Sequence, residues 1–170
     1  MDNTSIKALT SSNKQDWETP PQFVKYIEDL QCFTFDLDPC ASPTNYKAPY
    51  SYTVEENGLE QNWFGNVWVN PPYNDVQRWI EKALEQRFRC DHIVLCIPAR
   101  TDTKWFHELI WPNYQELYFL KHRIRFIDST NIRKNGCAMF PTMIVIFNHL
   151  QTRFTRQLVV PKETRGYVRD

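Results

Sequence analysis

No stretch of apolar residues in this 170-residue chain is long enough to cross a bilayer, so no membrane-spanning segment is expected. A signal peptide is missing too: Met1-Asp2-Asn3-Thr4-Ser5 is polar and has no apolar core. Both absences predict a soluble protein of the cytoplasm. Neither sign of charge is in excess. The 20 Lys and Arg residues match the 20 Asp and Glu residues, which argues against a general nucleic-acid coat but leaves room for a local basic face. The five cysteines (Cys32, Cys40, Cys90, Cys96 and Cys137) contain no CxxC pair, and Cys96 lies in an apolar run; reduced thiols fit better than disulfides. Cys90 and His92 have no second pair to complete a tetrahedral site, so no metal is expected. Repeats and low-complexity tracts are lacking, and the length suits one domain.

What is there begins with Asn70-Pro71-Pro72-Tyr73, placed just after the strand-like run Phe64-Gly65-Asn66-Val67-Trp68-Val69. Each proline fixes φ and has no N–H, so the chain stops rigidly where a strand ends. The stop carries a side-chain amide oxygen (Asn70), a carbonyl (Pro71) and an aromatic ring (Tyr73). Two acceptors and a stacking face suit a flat base held by its exocyclic amine. The bland alternative is a proline loop with a surface tyrosine.

The pattern around this motif alternates strands with helices. Phe23, Tyr26, Ile27 and Leu30 recur at helical spacing, with Thr19 as N-cap and Pro20-Pro21 in the first turn. Strands are expected over Phe33–Asp38, Asn66–Asn70, His92–Ile97, Glu116–Leu120 and Thr142–Phe147, and helices over Asp75–Gln86 and Thr103–Leu109. Residues 42–62, with Tyr46, Tyr50 and Tyr52, read as a long loop holding one short strand near Tyr52. The expected layout is a flexible segment over 1–15, one α/β domain over 16–150 and a basic tail over 151–170. Three strands end at Asp38-Pro39, Asn70-Pro71 and Pro98-Ala99-Arg100. In open parallel sheets ligands bind outside the carboxyl ends of strands, so all three polar ends are expected to face one crevice.

With these residues in view, the chain resembles the phage-type DNA N-6-adenine methyltransferases, the small Dam family. The resemblance is carried by Asp16-Trp17-Glu18-Thr19-Pro20, by Phe35-Asp36-Leu37-Asp38-Pro39-Cys40-Ala41, and by Gly58-Leu59 with Trp63. It continues through Asn70–Tyr73, Pro98–Phe106 and Leu120–Phe126, so it runs from about residue 14 to 147. It implies a reduced Rossmann-like methyltransferase fold: α/β, doubly wound, with a mostly parallel sheet. The implied reaction moves a methyl group from S-adenosylmethionine to the N6 amine of a flipped-out adenine, with GATC suggested by the family name. The implied catalytic residues are Asn70, Pro71, Pro72 and Tyr73. Trp17, Thr19, Pro20, Asp38, Pro39 and Cys40 are implied to hold the donor, with Asp38 preferred to Asp36. One departure stands out: Ser42-Pro43 follows Ala41 where the broader methyltransferase pattern has a glycine-rich turn.

Charge adds a candidate DNA face. Lys121, Arg123 and Arg125, then Arg133 and Lys134, cluster across a polar loop, and Arg100 follows the third strand. Asn131 and Asn135 suit base edges, since amides pair bidentately with adenine. The expected partner is double-stranded DNA, met by a monomer or weak homodimer. Cytosine methylation at N4 and a non-catalytic DNA-binding relative of the same fold remain alternatives. Evasion of host restriction would follow from the phage resemblance alone.

Overall fold

The apolar runs assemble into one large sheet because several of them are apolar at every position rather than at alternate ones. A computed structural model describes residues 17–128, 136–137, 140–150 and 153–164. In chain order the strands are β1 (Trp17–Glu18), β2 (Leu37–Asp38), β3 (Tyr50–Ser51), β4 (Gly65–Val69), β5 (Cys90–Pro98), β6 (Glu116–Leu120), β7 (Arg125–Asp128), β8 (Gly136–Cys137), β9 (Thr142–Asn148) and β10 (Phe154–Leu158). The helices are α1 (Pro21–Gln31) and α2 (Val76–Gln86). Seven strands form one sheet in the order β10-β6-β9-β5-β4-β2-β3, and β1, β7 and β8 form a small antiparallel sheet. Within the large sheet β9 alone runs against its neighbours. The protein is therefore mixed α/β with a mostly parallel sheet.

Both faces of that sheet are covered, which is why its strands lack the polar alternation of a half-exposed sheet. Along β5, Ile93, Leu95 and Ile97 face α2, while Val94 and Cys96 face α1. The same alternation runs along β9, where Met143 and Val145 lie with α2 and Ile144 and Ile146 with α1. From α1 the core receives Phe23, Val24 and Ile27; from α2 it receives Trp79, Ile80 and Ala83.

Several sequence expectations change in detail. Thr19 does not cap α1. Pro20 holds that position, and its carbonyl accepts the amides of Phe23 at 2.9 Å and Val24 at 3.2 Å. With Pro20 and Pro21 lacking N–H groups, few first-turn donors need a cap. The strand expected over Phe33–Asp38 pairs regularly only at Leu37–Asp38. Ahead of it the Asp36 side chain accepts the Asn66 amide at 2.8 Å, where the β4–β5 register shifts and Gly65 takes φ 61. The helix expected over Thr103–Leu109 winds as a π-turn over Phe106–Ile110, with the Trp111 amide on the Phe106 carbonyl at 2.8 Å. The sheet also extends beyond residue 150: β10 pairs parallel with β6, and Val160 is fully buried.

Candidate active site

Strands β2, β4 and β5 lie side by side and parallel, so their carboxyl ends open at one edge. Asn70 follows the middle strand directly. The prolines then turn the chain, the Asp75 amide bonds the Pro72 carbonyl at 3.0 Å, and α2 begins. Tyr73 leaves this turn with a half-buried ring set edge-on to Phe126, centroids 6.4 Å apart. Burial raises the Tyr73 pKa, so the turn presents a neutral phenol.

Phe126 belongs to β7, whose partner is β1 through Trp17↔Asp128 and Glu18↔Ile127. The small sheet thus ties two distant segments to the Asn70 turn. One is the Thr19-Pro20 entry to α1; the other is the basic run that leads into β7. Thr19 is only 1% exposed, yet its hydroxyl has no hydrogen-bond partner among the described residues. A buried hydroxyl left unpaired costs on the order of 1–3 kcal/mol, which marks the position as one that a ligand would improve.

Asp38, 4% exposed, ends β2. The Cys40 amide donates to its Oδ1 at 3.1 Å and the Lys47 amide to its Oδ2 at 3.0 Å. Burial pushes this carboxyl up to about 6, with the two amides and the Lys47 charge pulling the other way. Lys47 is half-buried, and its ammonium donates to Asn45 Oδ1. Burial lowers the Lys47 pKa, while the nearby Glu18 and Asp38 carboxylates raise it. The Asp38-Pro39-Cys40 turn is pressed from outside by Gly58: a Cβ there would lie 1.9 Å from the Pro39 carbonyl oxygen. The Cys40 thiol is raised by burial and stays protonated. Asp36, by contrast, is spent on the backbone of β4.

The basic residues ring the same edge. Ile124 and Phe126 point into the core, so Arg123 and Arg125 alternate outward and are exposed, as is Lys121. The Arg100 guanidinium lies 4.1 Å from the centre of the Phe140 ring. The Ala99 amide bonds the Pro141 carbonyl at 2.7 Å, which ties that loop to the start of β9.

The family model described as DNA N-6-adenine-methyltransferase (Dam) matches residues 7–166. This chain belongs to the Dam family. A DNA N-6-adenine-methyltransferase of Escherichia phage T1 is 36% identical over 126 residues, covering 73% of this chain and 52% of the relative. The chain therefore spans about half the length of the curated relative it matches.

The residues that carried the Dam resemblance divide cleanly. Thr19, Pro20, Asp38, Pro39, Cys40 and Asn70–Tyr73 come to one edge, with Arg100, Lys121, Arg123 and Arg125 around it. Trp17 enters through its backbone in β1. Arg133 and Lys134 lie outside the described residues, as do Asn131 and Asn135. Sequence reasoning missed Lys47, which sits in a loop with no periodic pattern. It also missed Thr142, read only as the first residue of an apolar strand.

Proposed function

We propose that this chain transfers a methyl group from S-adenosylmethionine to the exocyclic N6 amine of adenine in double-stranded DNA, with GATC the first sequence to test. One observation carries the reading. The Asn70-Pro71-Pro72-Tyr73 turn stands at the carboxyl end of the central one of three parallel strands, with its aromatic ring braced by Phe126. The corresponding fold is a reduced Rossmann-like methyltransferase sheet, with α1 and α2 on opposite faces.

The residues beside the turn fit the donor. The unpartnered Thr19 hydroxyl suits its carboxylate, and the buried Asp38 carboxyl suits its ammonium. Pro20, Pro39 and Cys40 complete that wall, Trp17 is assigned to the donor from the family resemblance, and Gly58 leaves the Pro39 backbone its position. When bound, the donor supplies a methyl group on a sulfonium, a leaving group that needs no metal for displacement. The chain's task is alignment. Adenine's amine is a weak nucleophile because its lone pair is delocalised into the ring. Asn70 Oδ1 and the Pro71 carbonyl accept the two amine hydrogens and favour a tetrahedral nitrogen with its lone pair free. The fixed φ of each proline holds the second acceptor in place at little further entropic cost. A proton leaves after attack, so no strong base is required beforehand.

The base must first leave the duplex, at a cost of a few kcal/mol. Stacking on Tyr73 returns roughly 1–3 kcal/mol of that. Lys121, Arg123, Arg125 and Arg100 neutralise phosphates in this reading, and the charges of Arg133 and Lys134, outside the described residues, are assigned the same role from the sequence.

Unmethylated plasmid incubated with the protein and S-adenosylmethionine, then cut by a GATC enzyme blocked by adenine methylation, tests the whole reading. Protection is expected. Methyl label in DNA without protection discards GATC; label in cytosine discards adenine. DNA binding with no label leaves a non-catalytic relative of the same fold.

A further inference from the structure

We infer that Thr142, given the adenine methylation proposed above, reads the flipped base through a hydrogen bond from its hydroxyl to a ring nitrogen beside the exocyclic amine. Thr142 is 2% exposed, and its Oγ1 has no hydrogen-bond partner among the described residues. A buried unpaired hydroxyl is retained at a cost unless something meets it. Its place in the sheet indicates what that is.

Along β9, Ile144 and Ile146 lie on the α1 face, and alternation puts Thr142 there too. Along β4, Trp68 lies on that face, and the same alternation carries Asn70 onto it. Val69 pairs with Leu95, so Asn70 is level with Cys96, which pairs with Ile144. Thr142 pairs with Pro98, one two-residue step further toward the open edge. Two strand spacings and one such step separate the Asn70 and Thr142 Cα atoms by about 12 Å. Two short side chains, two hydrogen bonds of about 2.9 Å and the gap between an exocyclic amine and its neighbouring ring nitrogen fill that span. Tyr73, three residues beyond Asn70, is set against Phe126, which packs in the same α1-face cluster as Ile144. A base stacked on Tyr73 with its amine at Asn70 therefore turns a ring edge toward Thr142.

The test uses the full chain and duplexes whose single target adenine is replaced by 1-deazaadenine or 7-deazaadenine, which remove the two ring nitrogens flanking the amine in turn. Single-turnover methylation is compared for wild type and Thr142→Val. Wild type should be slowed about tenfold by one analogue. The variant should be slowed about tenfold on adenine, and should lose nothing further on that analogue. Losses that multiply, or a variant as fast as wild type, overturn the assignment. If Thr142→Val fails to fold, wild type alone decides: equal rates on adenine and both analogues also overturn it. Wild type that methylates no adenine in any duplex removes the underlying reading, whereas active wild type with multiplying losses removes only Thr142.

Discussion

The amino and carboxyl ends of the large sheet differ in how completely the fold satisfies their buried polar side chains. At the amino end nearly every polar group closes on another part of the fold. Asp36 takes the Asn66 amide at 2.8 Å, His92 Nδ1 donates to Asn66 Oδ1 at 2.9 Å, and the Trp63 amide donates to Gln86 Oε1 at 3.0 Å. Glu116 collects both the Gln31 amide group and the Tyr118 hydroxyl. Arg87 Nε and Asn148 Nδ2 have no partner among the described residues, but each residue is anchored through another atom, on Asn113 and the Leu150 amide. At the carboxyl end the Thr19 and Thr142 hydroxyls, each the residue's one polar side-chain atom, are buried with no partner among the described residues. Asp38 at that end is closed by the Cys40 and Lys47 amides, but the two hydroxyls are left for something the fold does not supply.

The largest break in that contrast should come at Asn70. Asn70→Ala removes one of two acceptors for the amine, and transfer should fall by on the order of 10²–10³, the scale for losing one aligned polar group from a reacting centre. Affinity for S-adenosylmethionine, measured by calorimetry, should stay within a few-fold. Near-normal turnover in this variant would rule out the proposed amine geometry.

Next comes Gly58→Ala. The new Cβ meets the Pro39 carbonyl oxygen, a backbone atom that cannot swing aside. Overpacking of this kind costs about 1–3 kcal/mol, read as a lowered midpoint in urea. Because the strain falls on the Asp38-Pro39-Cys40 turn, donor affinity should drop as well. A stability loss with donor affinity intact would detach that turn from the donor site.

This position also indicates what sequence can disclose. The three strand ends were legible because prolines punctuate apolar runs, and α1, α2, β4, β5, β6 and β9 because their apolar patterns are long enough to see, whereas β10 hid in a stretch read as a basic tail. The β1-β7-β8 sheet was not legible: β1 and β8 hold two residues each, too few for any period. Yet that sheet carries Thr19 and Phe126 to Asn70 and Tyr73. The missing glycine-rich turn was legible as a departure. The close approach of Gly58 to Pro39 was not, because Gly58 comes 19 positions later in the chain, and chain distance carries no signal of contact. Asp36 and Asp38 are chemically identical in sequence. Only the register shift at Gly65 and Asn66 shows that the first braces a strand.

Paired substitutions at the two ends sharpen the comparison. Asp36→Asn weakens the bond to the Asn66 amide, and should cost about 1–3 kcal/mol of stability with no change in donor affinity. Thr19→Val keeps the side chain's shape and removes an unpartnered hydroxyl. It should leave the urea midpoint unchanged or raised, while donor affinity falls by about tenfold, the loss of one hydrogen bond. Equal effects of both variants on stability would erase the distinction between the ends.

The smallest effect is the dependence on pH, and it separates folding from binding at one residue. Burial raises the Asp38 carboxyl from its ordinary 3.8 to about 6. The folded chain therefore holds this proton more tightly than the unfolded chain does between those values. At this group stability rises as pH falls from 6 toward 4, because the cost of burying a charge is relieved. Donor binding should run the other way, since a protonated Asp38 no longer attracts an ammonium. Affinity for S-adenosylmethionine should weaken below pH 6, approaching about tenfold per pH unit if only the ionised form binds. Calorimetry between pH 5 and 8 on wild type checks the slope. A Lys47→Met variant then checks its origin: Lys47 lowers the Asp38 pKa, so removing its charge should move the fall in affinity to higher pH. An unmoved profile would assign the titration to a different group.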